Sequence, residues 1–198
     1  MFKRAMIVSG AMLALPWLVG CNVVHHAGQW ESVDRLVAVI HPTEGNQCRG
    51  TVWFTQQDDG VKITAQIHGL KPGAQHAIHI HDYGDATSPD GKSAGDHYNP
   101  QKMAHGRPED KHRHAGDFGN LPAADSNGSV RFERMDKVIS LVGVKNPIVG
   151  RSVVVHAGQD KFVQPTGDAG PRIGVGVIGI AQPKSTAKPA GEKKKSGS

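Results

Sequence analysis

Six histidines and one aspartate between residues 79 and 156 have the types and spacing of a two-metal ligand set: His79, His81, His97, His105, His114, Asp117 and His156. The first two stand two apart in Gln75-His76-Ala77-Ile78-His79-Ile80-His81, which reads as a strand. A strand repeats every two residues, so both imidazoles leave one face, roughly 6–7 Å apart. That spacing suits chelation of one ion, because each ring reaches in to about 2 Å. Imidazole suits copper and zinc, and one carboxylate among histidines suits zinc. A lone His-x-His is usually solvated and inert, but the whole constellation is not explained that way.

The elements that position these residues belong to a chain of 198 residues with a formal net charge of +5. Its two ends distort that charge. Phe2-Lys3-Arg4, the apolar stretch that follows and Leu18-Val19-Gly20-Cys21 read as a secretory signal over residues 1–20. The apolar stretch is too short for a permanent membrane span. Leu-Val-Gly-Cys also resembles the bacterial lipoprotein box, which implies a mature chain acylated at Cys21. Asn22 beside it resembles an outer-membrane sorting residue, so the expectation is a lipid-anchored periplasmic protein. Ordinary secretion with an unmodified Cys21 is the alternative. Residues 21–31 read as a tether, and residues 183–198, rich in Lys, Ala, Pro, Gly and Ser, as a disordered basic tail. Without the signal and the tail the net charge is about −1. No basic stripe with interleaved aromatics appears, which argues against nucleic acid as a partner.

Residues 32–182 remain as one domain, large enough to bury roughly 70% of its extended-chain surface. Alternating patterns predict strands near residues 33–40, 48–55, 61–67, 75–81, 129–133, 151–156 and 173–181. Asp58-Asp59-Gly60 is a hairpin signal. Residues 82–116 show no periodicity and carry His97, His105 and His114, so this long loop is predicted to be functional and ordered by metal. A second loop spans residues 157–171. Short antiparallel strands with two long connections predict an all-β fold, a Greek-key sandwich or barrel of about eight strands.

His79-Ile80-His81, Tyr83-Gly84-Asp85, Ser93-Ala94-Gly95-Asp96-His97-Tyr98-Asn99-Pro100 and His114-Ala115-Gly116-Asp117-Phe118-Gly119-Asn120-Leu121, with residues 150–158 and 172–181, resemble the bacterial copper–zinc superoxide dismutases. The resemblance covers most of residues 35–182. It implies copper held by His79, His81, His97 and His156, and zinc held by His97, His105, His114 and Asp117. His97 is then a shared imidazolate. Arg172 matches the arginine that draws the superoxide anion to copper. Asp160 matches the carboxylate linking a copper ligand to a zinc ligand. The residue types suit that chemistry: neutral nitrogens hold both copper oxidation states, whereas thiolate favours Cu(I). Members of the family occur as monomers and homodimers, so a homodimer stays open.

Two departures stand out. The family ties its first long loop to the last strand with a disulfide, yet residues 82–96 contain no cysteine and Val175 stands at the partner position. Metal is therefore expected to supply more of the loop's order. Cys48 is expected to be a buried, unpaired thiol, with a Cys21–Cys48 bridge as the rival. The second loop is short, leaving Lys161 and Arg172 as its nearby cations. His76 is expected to be a structural histidine facing away from the ligands, and His112 to be solvated. His25, His26, His41 and His68 have no ligand spacing. A periplasmic copper- or zinc-binding module without catalysis is the competing function.

Overall fold

The computed structural model describes residues 33–183. The signal, Cys21, the tether with His25 and His26, and the tail beyond residue 183 lie outside the described residues. Eight strands form: β1 (Arg35–Pro42), β2 (Arg49–Gln57), β3 (Gly60–His68), β4 (Ala77–His81), β5 (Asp117–Asn120), β6 (Val130–Asp136), β7 (Ser152–His156) and β8 (Arg172–Ile180). They pair in the order β5-β4-β7-β8-β1-β2-β3-β6, and every pairing is antiparallel. The non-sequential neighbours β4–β7, β8–β1 and β3–β6 fit the Greek-key type of connection that the sequence predicts.

Strand alternation decides what is inside. Leu36, Ala38 and Ile40 of β1, Val52 and Phe54 of β2, and Val61, Ile63, Ala65 and Ile67 of β3 all point into the core. The ladder curls until Phe54 of β2 meets Phe118 of β5, with ring centroids 6.5 Å apart. The β2–β3 hairpin turns at Asp58-Asp59 with Gln57 opposite Gly60.

β4 and β7 are buried along their whole length. One face of each, carrying Ile78, Ile80, Val153 and Val155, belongs to the barrel core. The other carries His79, His81, Val154 and His156, and the long loops cover it. Val154 packs there with Ala94 and Val175, a cluster separate from the main core. The ligand residues are therefore sandwiched between the outside of the barrel and its loops.

β5 departs from the sequence reading, which has no strand there. Its residues, Asp117-Phe118-Gly119-Asn120, include three poor strand formers, and its pairing with β4 is irregular. Tertiary pairing overrides weak local preference. Within residues 82–116 the only regular element is one 3₁₀ turn, Lys92–Ala94, and His81 and His97 form an isolated bridge.

That first loop is tied to the barrel without a disulfide. Gly91 passes so close to Val175 that a Cβ on it would lie 2.7 Å from a Val175 methyl, and its φ of 73° also favours glycine. The Arg172 guanidinium donates to the carbonyls of Gly91 (2.7 Å) and Gly95 (2.6 Å). Thr43 Oγ1 donates to the Arg172 carbonyl at 2.8 Å. Cys48 is fully buried and a free thiol, and burial pushes its pKa up to about 12. It behaves as a small apolar side chain.

A buried ion pair joins the same loop to β6. Arg113 donates to the Asp136 carboxylate, and also to the carbonyls of His114 (2.9 Å) and Pro108 (3.2 Å). Arg134 of β6 reaches the Phe118 carbonyl of β5 at 3.3 Å, so arginines bridge the seam where the two sheet edges meet. Removing one partner of a buried pair strands the other's charge. Asp136→Asn is therefore expected to lower unfolding stability by about 3–5 kcal/mol in urea titrations of the metal-free protein. A loss under about 1 kcal/mol would show that the pair does not hold the seam.

Candidate metal centre

All seven ligand-type residues meet in one buried cluster. His79, His81, His97 and His156 form one group, and His97, His105, His114 and Asp117 form a second; within each, one ligand atom per residue lies within 4.8 Å of all the others. His97 belongs to both. The rings of His79 and His81 stand 6.5 Å apart, as strand spacing predicts.

Hydrogen bonds fix which nitrogen each ring offers. His79 Nε2 donates to Asp160 (2.9 Å), His81 Nδ1 to the Gly95 carbonyl (2.9 Å) and His156 Nδ1 to the Gly170 carbonyl (3.1 Å). The opposite nitrogens, His79 Nδ1, His81 Nε2 and His156 Nε2, are buried with no partner. A neutral imidazole that donates at one nitrogen carries a lone pair at the other. Three lone pairs thus converge on a space that holds no donor for them.

The second group is built around one oxygen. Asp117 Oδ1 lies 3.0 Å from His97 Nδ1, 3.0 Å from His105 Nδ1 and 3.2 Å from His114 Nδ1. Asp117 Oδ2 is held by the backbone N–H groups of Gly106 (3.1 Å) and His114 (3.0 Å). Although close, the Nδ1 atoms of His105 and His114 are not aimed at the oxygen and have no hydrogen-bond partner. Zinc bonds of about 2.0–2.1 Å give tetrahedron edges of roughly 3.3–3.4 Å. Three nitrogens 3.0–3.2 Å from one carboxylate oxygen, with all four atoms within 4.8 Å of one another and two of the nitrogens unbonded, fit that tetrahedron. His97 turns Nδ1 toward this group and so offers Nε2 to the first.

Asp160 joins the two groups, accepting from His79 Nε2 and His105 Nε2, each at 2.9 Å. Its backbone is held in turn by Asn120, whose side chain accepts from Asp160 N (2.7 Å) and donates to Asp160 O (3.0 Å). Gly167 crosses directly over this bridge; a Cβ there would lie 2.0 Å from Asp160 Oδ1, and φ is +81°. Only glycine lets the second loop pass so near.

Burial sets the charge states of the first group. It holds His81 well below the ordinary histidine range, with His97 adding to the effect. It lowers His97 to about 4 against the Asp117 bond, and His156 to about 3 with help from His79. Neutral imidazole is the form that binds metal. His105 goes the other way. Burial opposes its protonation, but the Asp117 and Asp160 carboxylates raise it to about 9. An ion arriving there displaces a proton. Burial also opposes ionisation of Asp117 and Asp160, yet the surrounding histidines hold both below the usual carboxylate range.

A cavity of about 270 Å³ opens onto His81, His97 and His156, with Arg172, Asp96 and Asp168 on its walls. A larger groove of about 790 Å³ lies on the outer face of β1, β2, β3 and β6, remote from the cluster. The ligand-type residues line the smaller one.

The copper/zinc superoxide dismutase family matches residues 48–178. The chain belongs to the copper/zinc superoxide dismutase family. Among solved structures it is similar to that of the clock protein EA4, at 39% identity and a TM-score of 0.68, over 75% of this chain and 95% of that one. Membership in the superoxide dismutase family implies copper and zinc as the ions for the two groups.

Lys161 is paired beside the mouth, its ammonium 2.5 Å from Asp168 on the cavity wall. Arg172 does line the cavity. His76 faces away from the cluster and bonds the His156 carbonyl at 2.9 Å, and His112 is exposed. Asn120, Phe162, Gln164 and Gly167 carry no spacing signal, because each acts through contacts between segments distant in sequence.

Ion binding to the folded state alone stabilises by about 4 kcal/mol at a thousandfold excess over Kd, or roughly 8–16 °C for a domain this size. Zinc loading is expected to raise the melting temperature by that much, and chelator to reverse it. Reductant is expected to change nothing, because no disulfide is present among the described residues. A large reductant effect together with a negligible chelator effect would contradict the metal-ordered loop.

Proposed function

We propose that this chain dismutates superoxide, converting two superoxide anions and two protons to oxygen and hydrogen peroxide. The reading assigns copper to His79, His81, His97 and His156, and zinc to His97, His105, His114 and Asp117. The observation that carries it is the shared ring of His97 between two groups of buried ligand residues, five of whose ring nitrogens have no hydrogen-bond partner, with a small cavity opening onto His81, His97 and His156. Copper there supplies one-electron exchange, and zinc a redox-silent positive charge.

The chain's own residues do the rest. Arg172 is clamped by two carbonyls, so its charge is fixed on the cavity wall rather than swinging in solvent. A guanidinium stays protonated, and a fixed positive charge in a narrow mouth raises the capture rate of a small anion. Asp96 and Asp168 share the same walls and oppose that field. Lys161 offsets Asp168. His97 Nε2 faces the cavity side of the cluster and is the atom that takes up a proton and hands it to the reduced oxygen. His79, His81 and His156 are locked in tautomer and direction by Asp160, Gly95 and Gly170.

The two mouth carboxylates favour the rival reading, a metal-binding module without turnover. The experiment that separates the two is metal analysis with a superoxide assay on the chain lacking residues 1–20. One copper, one zinc and rapid dismutation are expected; both metals with no dismutation would support the module. The Leu18-Val19-Gly20-Cys21 motif supports acylation at Cys21 and an envelope location, which mass spectrometry of the mature chain tests.

Arg172→Ile is expected to keep both metals, slow turnover at least about tenfold at low ionic strength and flatten its salt dependence. Unchanged rate and salt response would remove Arg172 as the anion guide.

A further inference from the structure

We propose that Gln164 is a positioning residue for the zinc-side ligand set, its carboxamide clasping the backbone of His105 at both ends. The proposal rests on the metal-site reading above. His105 sits in residues 102–107, which form neither helix nor strand. Its N–H and C=O have no backbone partners. Both are satisfied by one side chain: the N–H donates to Gln164 Oε1 at 3.0 Å, and the C=O accepts from Gln164 Nε2 at 2.8 Å. Two opposed bonds to one planar amide fix the backbone on either side of the Cα that carries the ring. They do for this isolated ligand what a sheet ladder does for His79 and His81.

The ring is fixed by the same loop. Its Nε2 bonds Asp160 at 2.9 Å, and it stacks on Phe162 with centroids 6.4 Å apart and planes at 15°. Asp160, Phe162 and Gln164 are alternate residues, and each takes a different part of His105. The only freedom left to its Nδ1 is the small one needed to meet Asp117. Preordering a ligand in this way lowers the entropy lost when the ion binds.

Gln164 is exposed on its outer side, so replacing it opens no core. It makes no hydrogen bond to His79, His81 or His156. A merely structural role would lower stability without distinguishing the two metals. A positioning role weakens zinc and spares copper.

The test titrates zinc, and separately copper, into the full chain against a chromophoric chelator. Gln164→Ala is expected to bind zinc about 10–100-fold more weakly, with copper affinity within about twofold of the parent. Gln164→Glu keeps an acceptor for the His105 N–H but loses the donor to its carbonyl, and is expected to fall between. In the metal-free protein, the His105 amide should exchange with solvent faster in Gln164→Ala while β-sheet amides keep their protection. Parent protein that binds neither ion would defeat the metal-site reading itself. Parent protein that binds both, with Gln164→Ala holding zinc within about threefold, would overturn the role of Gln164 alone. Should Gln164→Ala not fold, the same threefold criterion applies to Gln164→Glu.

Discussion

Within the ligand cluster five imidazole nitrogens, on His79, His81, His105, His114 and His156, are buried without a hydrogen-bond partner; His76 Nε2, outside it, is a sixth among the described residues. An unsatisfied buried polar atom costs about 1–3 kcal/mol, and a whole domain is stable by only about 5–15 kcal/mol. Buried ring nitrogens that converge in this way without protein partners are a site for a cation. The constraint explains the shape around them. Ligands that must stay dry cannot sit on an open sheet face, so two long loops close over the outside of β4 and β7. Ligands that must stay aimed need a second partner each, and Asp160, Gly95 and Gly170 supply it.

The loops are then held by means other than a covalent bridge. Val175 fills the space beside Gly91, and Arg172 anchors two loop carbonyls while its charge stays on the cavity wall. One arginine thus serves the loop and the mouth together. The second loop is held to β5 by Asn120 at the backbone of Asp160, and to the first loop by Gln164 at the backbone of His105. Zinc-side order and the wall of the cavity are consequently parts of one packed unit, because the same loop supplies Asp160, Gln164 and Asp168.

Much of this is written locally in the sequence. Period two in residues 75–81 places His79 and His81 on one face, and alternation marks seven of the eight strands. The absence of any period in residues 82–116, with three histidines, marks a loop ordered by what it binds. What the sequence hides is whatever depends on distant partners. β5 is four residues with little strand preference and exists because β4 lies beside it. Arg113 and Asp136 look like two surface charges until the fold buries them together. Nothing in the sequence signals the pairing of Lys161 with Asp168, and Gln164 carries no spacing signal at all. Composition and periodicity report a residue's own preference, whereas these positions are decided by tertiary proximity.

The account turns on one ring serving two ions of different chemistry. Anomalous diffraction at the copper and zinc edges, from crystals of the fully loaded protein, tests it most directly. The account predicts two separate peaks joined by the His97 imidazole, copper beneath the Arg172 cavity and zinc beside Asp117. Two ions with no common side chain, or a single ion coordinated without His97, would contradict it.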